Sequence, residues 1–108
     1  MIEPKSVVAA QQFSPEKMKK VSLFETPRFF SDLYCFEPGQ VQKPHTHANA
    51  DKVYVVLEGT GRFQIGGEEK SLATGMVVLA PAGVEHGVVI QWTQRLVLLV
   101  FMAPHPAA

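Results

Sequence analysis

Apolar residues along this chain come in short runs rich in Val, Phe, Ile and Leu, and turn-forming residues interrupt them often. No segment keeps an apolar period of 3.6 over more than two turns, so long helices are not expected. The pattern predicts strands at 6–9, 21–25, 29–37, 53–57, 61–65, 69–73, 76–80, 86–92 and 95–103. Between them, "EPGQ" (37–40), "GTG" (59–61), "GG" (66–67), "TG" (74–75) and "PAG" (81–83) predict turns. A single helical turn is expected at "SPEKMKK" (14–20), with Ser14 as cap and Pro15 in the first helical position. Many short strands with glycine punctuation and little helix predict an all-β sandwich or barrel, which also hides strand edges.

The length of 108 residues suits one core and leaves no room for a second. The expected organisation is a single domain over 1–108, with N-terminal strands in 1–28, a barrel in 29–103 and a loose tail at 104–108. Ten Lys and Arg balance ten Asp and Glu, which argues against a nucleic-acid or membrane partner held by bulk charge. Near-zero charge also does little to keep copies apart, so a homodimer through the N-terminal strands and the outer sheet is expected. The single cysteine, Cys35, forms no intrachain disulfide and reads as buried filler. "MIEPKSVVAA" lacks the apolar run of a signal peptide, and "LVLLVFMA" (96–103) is far below the roughly 20 residues that span a bilayer. These features predict a soluble, cytoplasmic protein.

Candidate chemistry begins at "PHTHANADKVYVVLEG" (44–59), where His45 and His47 stand at i and i+2. On an extended strand both imidazoles point to one face, the spacing by which a β-scaffold offers two nitrogens to one ion. Alone, such a pair is a weak signal. A second motif strengthens it: Gly75, five residues, Pro81, one residue, Gly83, two residues, His86. The first motif likewise has Gly39, five residues, His45, one residue, His47.

In order and spacing these two motifs resemble the paired motifs of the cupin superfamily, closely over 39–90. The resemblance implies a double-stranded β-helix, a small jelly-roll barrel of antiparallel strands. It implies that His45, His47 and His86 converge inside one end. Three neutral imidazoles suit a divalent transition metal such as iron, zinc, nickel or manganese.

The chain departs from the motif where the family places a glutamate. Counting back seven from Gly59 gives Lys52, and Ile90 replaces the asparagine of the second motif. Asp51 lies one residue earlier, at a spacing that permits a fourth ligand, although a solvated turn residue is its ordinary role. A protonated lysine about 5 Å from a divalent ion is repelled by roughly 6–7 kcal/mol at an effective dielectric near 20. Three arrangements follow: Lys52 faces away, or it sits inward and neutral, or no metal is tightly held. The cost of desolvating an amine favours the outward one. Tyr54 shares strand parity with Lys52 and either lines the pocket or packs in the wall. Glu85 reads as a surface residue, Arg28 and Arg62 as surface arginines, and His105 as an exposed residue of the tail. Trp92 and Phe101 fit either the core or a partner interface. "GTGRFQIG" lacks the helix that a phosphate-binding loop requires.

Together these observations lead to the expectation of a small metal-binding cupin that takes a small organic molecule beside the ion. The resemblance admits dioxygenase chemistry first, with isomerase or lyase behind. The alternative is a non-catalytic binding or sensor module with weak or no metal.

Overall fold

A computed structural model describes residues 2–90 and 93–107, the side chain of Ile90 excepted. Trp92 lies outside the described residues. The strands are β1 (Lys19–Thr26), β2 (Phe29–Phe36), β3 (Val41–His45), β4 (Asp51–Glu58), β5 (Thr60–Ile65), β6 (Glu68–Ala73), β7 (Val77–Ala80), β8 (His86–Ile90) and β9 (Leu96–Ala103). They build a five-stranded sheet in the order β1-β2-β9-β4-β7 and a four-stranded sheet in the order β3-β8-β5-β6. Neighbours pair antiparallel, as in β2–β9 and β5–β8. The two sheets face each other as a double-stranded β-helix, all-β as the pattern predicts and of the form that the resemblance implies.

Alternation decides what goes between the sheets. Along β4, Lys52, Tyr54 and Val56 are buried while Val53, Val55 and Leu57 are half-exposed. Register carries that parity across the sheet: Tyr54 stands opposite Val100, and Val56 opposite Leu98. Tyr34, Phe36, Tyr54, Val56, Phe63, Val88, Leu96 and Leu98 share one core between the sheets. Burying each large apolar side chain contributes about 1.5–3 kcal/mol, which makes this core the main support of the barrel.

A second core covers the outer face of the five-stranded sheet. Leu23, Leu33, Cys35 and Val97 are buried there beneath Val7, Ala10 and Phe13. The N-terminal segment is therefore a strap across the outer face, not a strand. Residues 6–9, expected as a strand, form a turn in which Ala10 N–H donates to the Ser6 carbonyl at 3.0 Å. The "SPEKMKK" helix does not form either, and β1 begins within that stretch, at Lys19. For residues 6–13 the cause is burial. The strap's apolar residues are spaced to cover a sheet, and that burial outweighs weak local preference. Cys35 is buried filler, as expected, and burial pushes its thiol pKa up.

The tail also differs from its expected looseness. His105 N–H donates to the Arg28 carbonyl at 2.8 Å, its ring meets the Phe30 ring edge-on, and its Nε2 contacts the Glu25 carboxylate. Among the described residues no helix is long and apolar enough to cross a membrane.

One strand was missing from the sequence pattern. β3, "VQKPH", is polar and contains a proline, yet it pairs with β8 at the edge of the four-stranded sheet. An edge strand tolerates Pro44, because its missing N–H costs no ladder bond on the open side. The pairing runs Val41↔Val89, Gln42↔Val88 and then His45↔His86. β3 thus advances three residues while β8 advances two, a bulge at Lys43–Pro44. Gly87 faces that bulge, and a Cβ there would lie 2.9 Å from the Gln42 carbonyl oxygen and 3.0 Å from Pro44 N. Gly87→Ala is therefore expected to destabilise by about 1–3 kcal/mol through overpacking. Chemical denaturation checks the loss, and an unchanged midpoint would mean that β3 has slack to move.

Candidate metal centre

The bulge determines which way His45 faces. In a regular strand Gln42 and His45, three apart, would lie on opposite faces. The extra residue at Lys43–Pro44 restores parity, so both face the barrel interior with Val88 and His86 of the paired strand. Beyond the end of β3, His47 is held by the second motif: Gly83 N–H donates to the His47 carbonyl at 2.9 Å. Gly83 makes that turn at φ +80°, a conformation open to glycine at little cost.

The three imidazoles come together as the two motifs imply. Ring centroids are 4.9 Å apart for His45–His47, 4.3 Å for His45–His86 and 5.7 Å for His47–His86. One ligand nitrogen from each lies within 4.8 Å of the others. Three nitrogens each about 2.0–2.1 Å from one ion would stand somewhat closer together. The rings are thus grouped and need only small adjustments to share an ion.

The donor chemistry fits a metal. His45 Nδ1 lies 3.0 Å from the Lys43 carbonyl, and His86 Nδ1 lies 3.0 Å from the Val84 carbonyl. A carbonyl only accepts, so Nδ1–H donates in both rings and each Nε2 keeps a free lone pair. Backbone acceptors commonly orient metal-binding histidines in this way. His86 is 1% exposed, and its Nε2 is buried without a hydrogen-bond partner. A buried acceptor left unpaired costs about 1–3 kcal/mol, a cost that a bound cation would remove. Burial, ahead of neighbouring charge, lowers the pKa of all three histidines and brings that of His86 to about 4. At neutral pH the rings are thus neutral and able to ligate without first losing a proton.

Lys52 is where structure and expectation part. Its side chain is inside the barrel, 1% exposed, rather than facing away. Coulomb repulsion and desolvation favoured the outward placement, but strand parity decided. Lys52 stands two residues from buried Tyr54 and opposite buried Ala80 and Met102, so turning it outward would shift the whole register of β4. Two aromatic faces compensate in part: Lys52 Nζ lies 4.9 Å from the Tyr34 ring centroid and 5.2 Å from that of Tyr54. Cation–π contacts of this kind reach about 2 kcal/mol when desolvated. Burial first, and Lys20 second, lower its pKa to about 7, while Asp32 opposes the shift.

Asp51 does not join the site. It is exposed, and its Oδ1 accepts a hydrogen bond from Ala82 N–H at 2.8 Å, which latches the Pro81–Gly83 turn. The carboxylate acts on the turn that supports His47, not on an ion. Tyr54 is fully buried in the interior, and its hydroxyl donates to Gln42 Oε1 at 2.7 Å. Glu85 is exposed and accepts from Gln64 Nε2 at 3.2 Å, and Arg62 pairs with Glu69 at the surface.

Gln42 and Tyr34 escaped sequence reading. Gln42 is buried with its Nε2 unpartnered, next to the histidines on β3. A polar residue in a polar, proline-containing stretch reads as exposed, so the sequence carried no signal for its burial.

Comparison with known proteins agrees with this architecture. The Cupin domain family profile matches residues 32–102. Protein TT1209 from Thermus thermophilus superposes with a TM-score of 0.94 at 44% identity, covering 97% of this chain and 100% of that one. A double-stranded β-helix protein from Klebsiella pneumoniae gives a TM-score of 0.88 at 22% identity, covering 94% of this chain and 84% of that one, a likeness of fold alone. An uncharacterised protein of Aquifex aeolicus is 32% identical over 80 residues, 74% of this chain, and this chain spans 64% of its length. The chain belongs to the cupin family.

The pKa shifts predict the acid behaviour of the metal-free protein. A histidine whose folded pKa lies below its unfolded value of about 6.5 stabilises above 6.5 and loses that contribution as pH falls towards the folded value. For His86 the window runs from about 6.5 to about 4. Lys52 follows the same sign higher up, between 10.5 and about 7, so near neutrality its burial already weighs against the fold. Lys52→Met is expected to raise stability at pH 6–7 by about 1–4 kcal/mol, the range found when buried charges give way to apolar side chains. Thermal unfolding of both proteins in chelator across pH 4–10 measures this, and a wild-type midpoint that is flat from pH 6.5 to 4 would contradict the burial of His86.

Proposed function

We propose that this cupin holds one divalent transition metal through His45, His47 and His86 and takes a small organic molecule into the barrel beside it. The observation that carries the reading is the paired orientation of His45 and His86. Each Nδ1–H is committed to a backbone carbonyl, and the buried His86 Nε2 has no partner. Iron, zinc, nickel and manganese are all compatible with three imidazoles. When bound, the ion would supply Lewis acidity or, as ferrous iron, activation of dioxygen. The protein's own part is to keep the rings neutral and aimed, and to wall the site with Tyr34, Tyr54 and Phe63. Dioxygenase chemistry stands first among reaction classes.

A second reading, a non-catalytic receptor with weak or no metal, is favoured by one observation. Lys52 stands inside the barrel, and its positive charge opposes a cation at the histidines, whose pKa values it already depresses.

Elemental analysis and calorimetry separate the two. With metal at 100 times its dissociation constant, the folded state is expected to gain about 2.7 kcal/mol over chelated protein. A His45→Ala, His47→Ala, His86→Ala triple variant is expected to lose both metal and this gain. An unfolding midpoint indifferent to chelator would support the metal-free receptor.

We also propose that two copies associate through the outer face of the five-stranded sheet. The N-terminal strap already covers the part over Leu33 and Val97, so the N-terminal strands expected to form the interface are occupied by the chain's own residues. The uncovered part is an apolar grid in register: Phe101, Val53 and Leu79 in one row and Val55 and Val77 in the next, with Leu99 at the margin packed against the second core. Val77 is 61% exposed, Leu79 50% and Phe101 38%, on and near the edge strand β7. Exposed apolar edges of this kind invite pairing. Light scattering is expected to give a dimer that Leu79→Asp converts to monomer, and a wild-type monomer at all concentrations would sink the proposal.

A further inference from the structure

The edges of the two sheets do not meet at β1 and β3, and a cleft of about 890 Å³ opens there. Its wall carries Lys17, Lys19, Lys20 and Lys43, with Glu16 the only acid. Among the described residues none of these lysines, nor Lys52, is in a salt bridge. A protein of zero formal net charge has thus gathered four lysines on one cleft. Low-dielectric walls focus the field of such a cleft on anions.

The cleft leads inward. Gln42 lines it, is 7% exposed, and holds a buried Nε2 that lies beside the Tyr34 hydroxyl but makes no hydrogen bond of good geometry. Its Oε1 is already taken by the Tyr54 hydroxyl, which leaves Nε2 as donor only. Lys20 Nζ, on the cleft wall, lies 5.1 Å from the Tyr34 ring centroid, and Lys52 Nζ lies 4.9 Å from the same ring. One aromatic ring therefore separates the wall from the buried amine. Further in, the buried Tyr54 and His86 rings pack 6.2 Å apart and lie between this region and the other histidines. Half-buried Asp32 faces this region and favours the charged form of Lys52, while burial raises its own pKa.

We propose that this seam admits and seats a small organic carboxylate, drawn in by Lys17, Lys19, Lys20 and Lys43, whose oxygens accept hydrogen bonds from Gln42 Nε2 and Lys52 Nζ inside the barrel. Two separate donors match the two oxygens of a planar carboxylate. The proposal deepens the reading of the barrel as a small-molecule site but does not depend on the metal. It also gives the buried amine, costly to the fold, a use.

Side-chain amide NMR on metal-stripped protein tests it, with acetate, benzoate and succinate as probes, benzamide as the uncharged twin of benzoate, and inorganic phosphate as a second anion. The expected result is a saturable shift of the Gln42 NH2 resonances with at least one carboxylate. Benzamide should bind at least tenfold more weakly than benzoate if benzoate is the probe that binds. Lys52→Met should weaken binding about tenfold or more, the worth of a hydrogen bond to a charged group. The exposed double variant Lys17→Glu, Lys43→Glu should weaken it and flatten its salt dependence, and this pair keeps the test open if Lys52→Met fails to fold. The proposal is overturned if no carboxylate moves Gln42 at tens of millimolar, if benzamide or phosphate binds as well as the carboxylate, or if both the Lys52 and the double variant bind as wild type. Zinc titration of the same samples separates this from the metal reading. Gln42 response without zinc binding sinks only the metal, and zinc binding without Gln42 response sinks only the carboxylate.

Discussion

The pairing of β3 with β8 is the constraint on which the site depends. His45 reaches the interior only because β3 carries one extra residue at Lys43–Pro44, which returns the strand to the parity of Gln42. The bulge in turn requires a partner strand with no side chain at that point, and Gly87 supplies it. The same bulge presents the Lys43 carbonyl to His45 Nδ1, so one irregularity both turns the ring inward and orients it. The remaining histidine contacts follow: His86 lies across the ladder from His45, and the Pro81–Gly83 turn reaches over to hold His47.

A barrel interior that should be apolar holds several polar or ionisable groups that the fold must compensate. Tyr54 bonds Gln42, and His86 gives its Nδ1–H to a carbonyl. Lys52 leans on two aromatic rings. The Gln42 amide nitrogen and the His86 Nε2 remain unpaired. Buried polar groups left without partners are rare in proteins because each costs free energy. Here two of them lie on paired strands of one sheet, beside a desolvated amine, which is a concentration of cost at the place where a cation and a ligand would remove it. The rest of the interior, built from Phe36, Val56, Phe63, Leu96 and Leu98, supplies the apolar burial that offsets this.

The outer face is organised differently. A strap with little regular structure covers one half of the five-stranded sheet, and an apolar grid around β7 leaves the other half open. Net charge and composition suggested self-association, expected through the N-terminal strands and the outer sheet. The strap buries Leu33 and Val97 beneath the chain's own Val7, Ala10 and Phe13.

How much of this was legible in the sequence depends on the range of the forces involved. The strands from Phe29 onward, apart from β3, follow from alternation and turn residues, and the histidine trio follows from two motifs whose spacing fits this barrel. The strands and the shared face of His45 and His47 are fixed by the period of a strand, whereas the meeting of His86 with them was implied by the resemblance to the cupin family. The strap, β3 and the ordered tail were not legible, because each is held by contacts with residues far away in the chain rather than by its own preference. Lys52 is the clearest case. The sequence supplied both of the opposing considerations, the cost of burying an amine and the strand parity it shares with Tyr54, but not their balance. Only the tertiary structure decided it, because the register of β4 between β9 and β7 is fixed by many side chains at once, and one lysine cannot turn outward without moving them all.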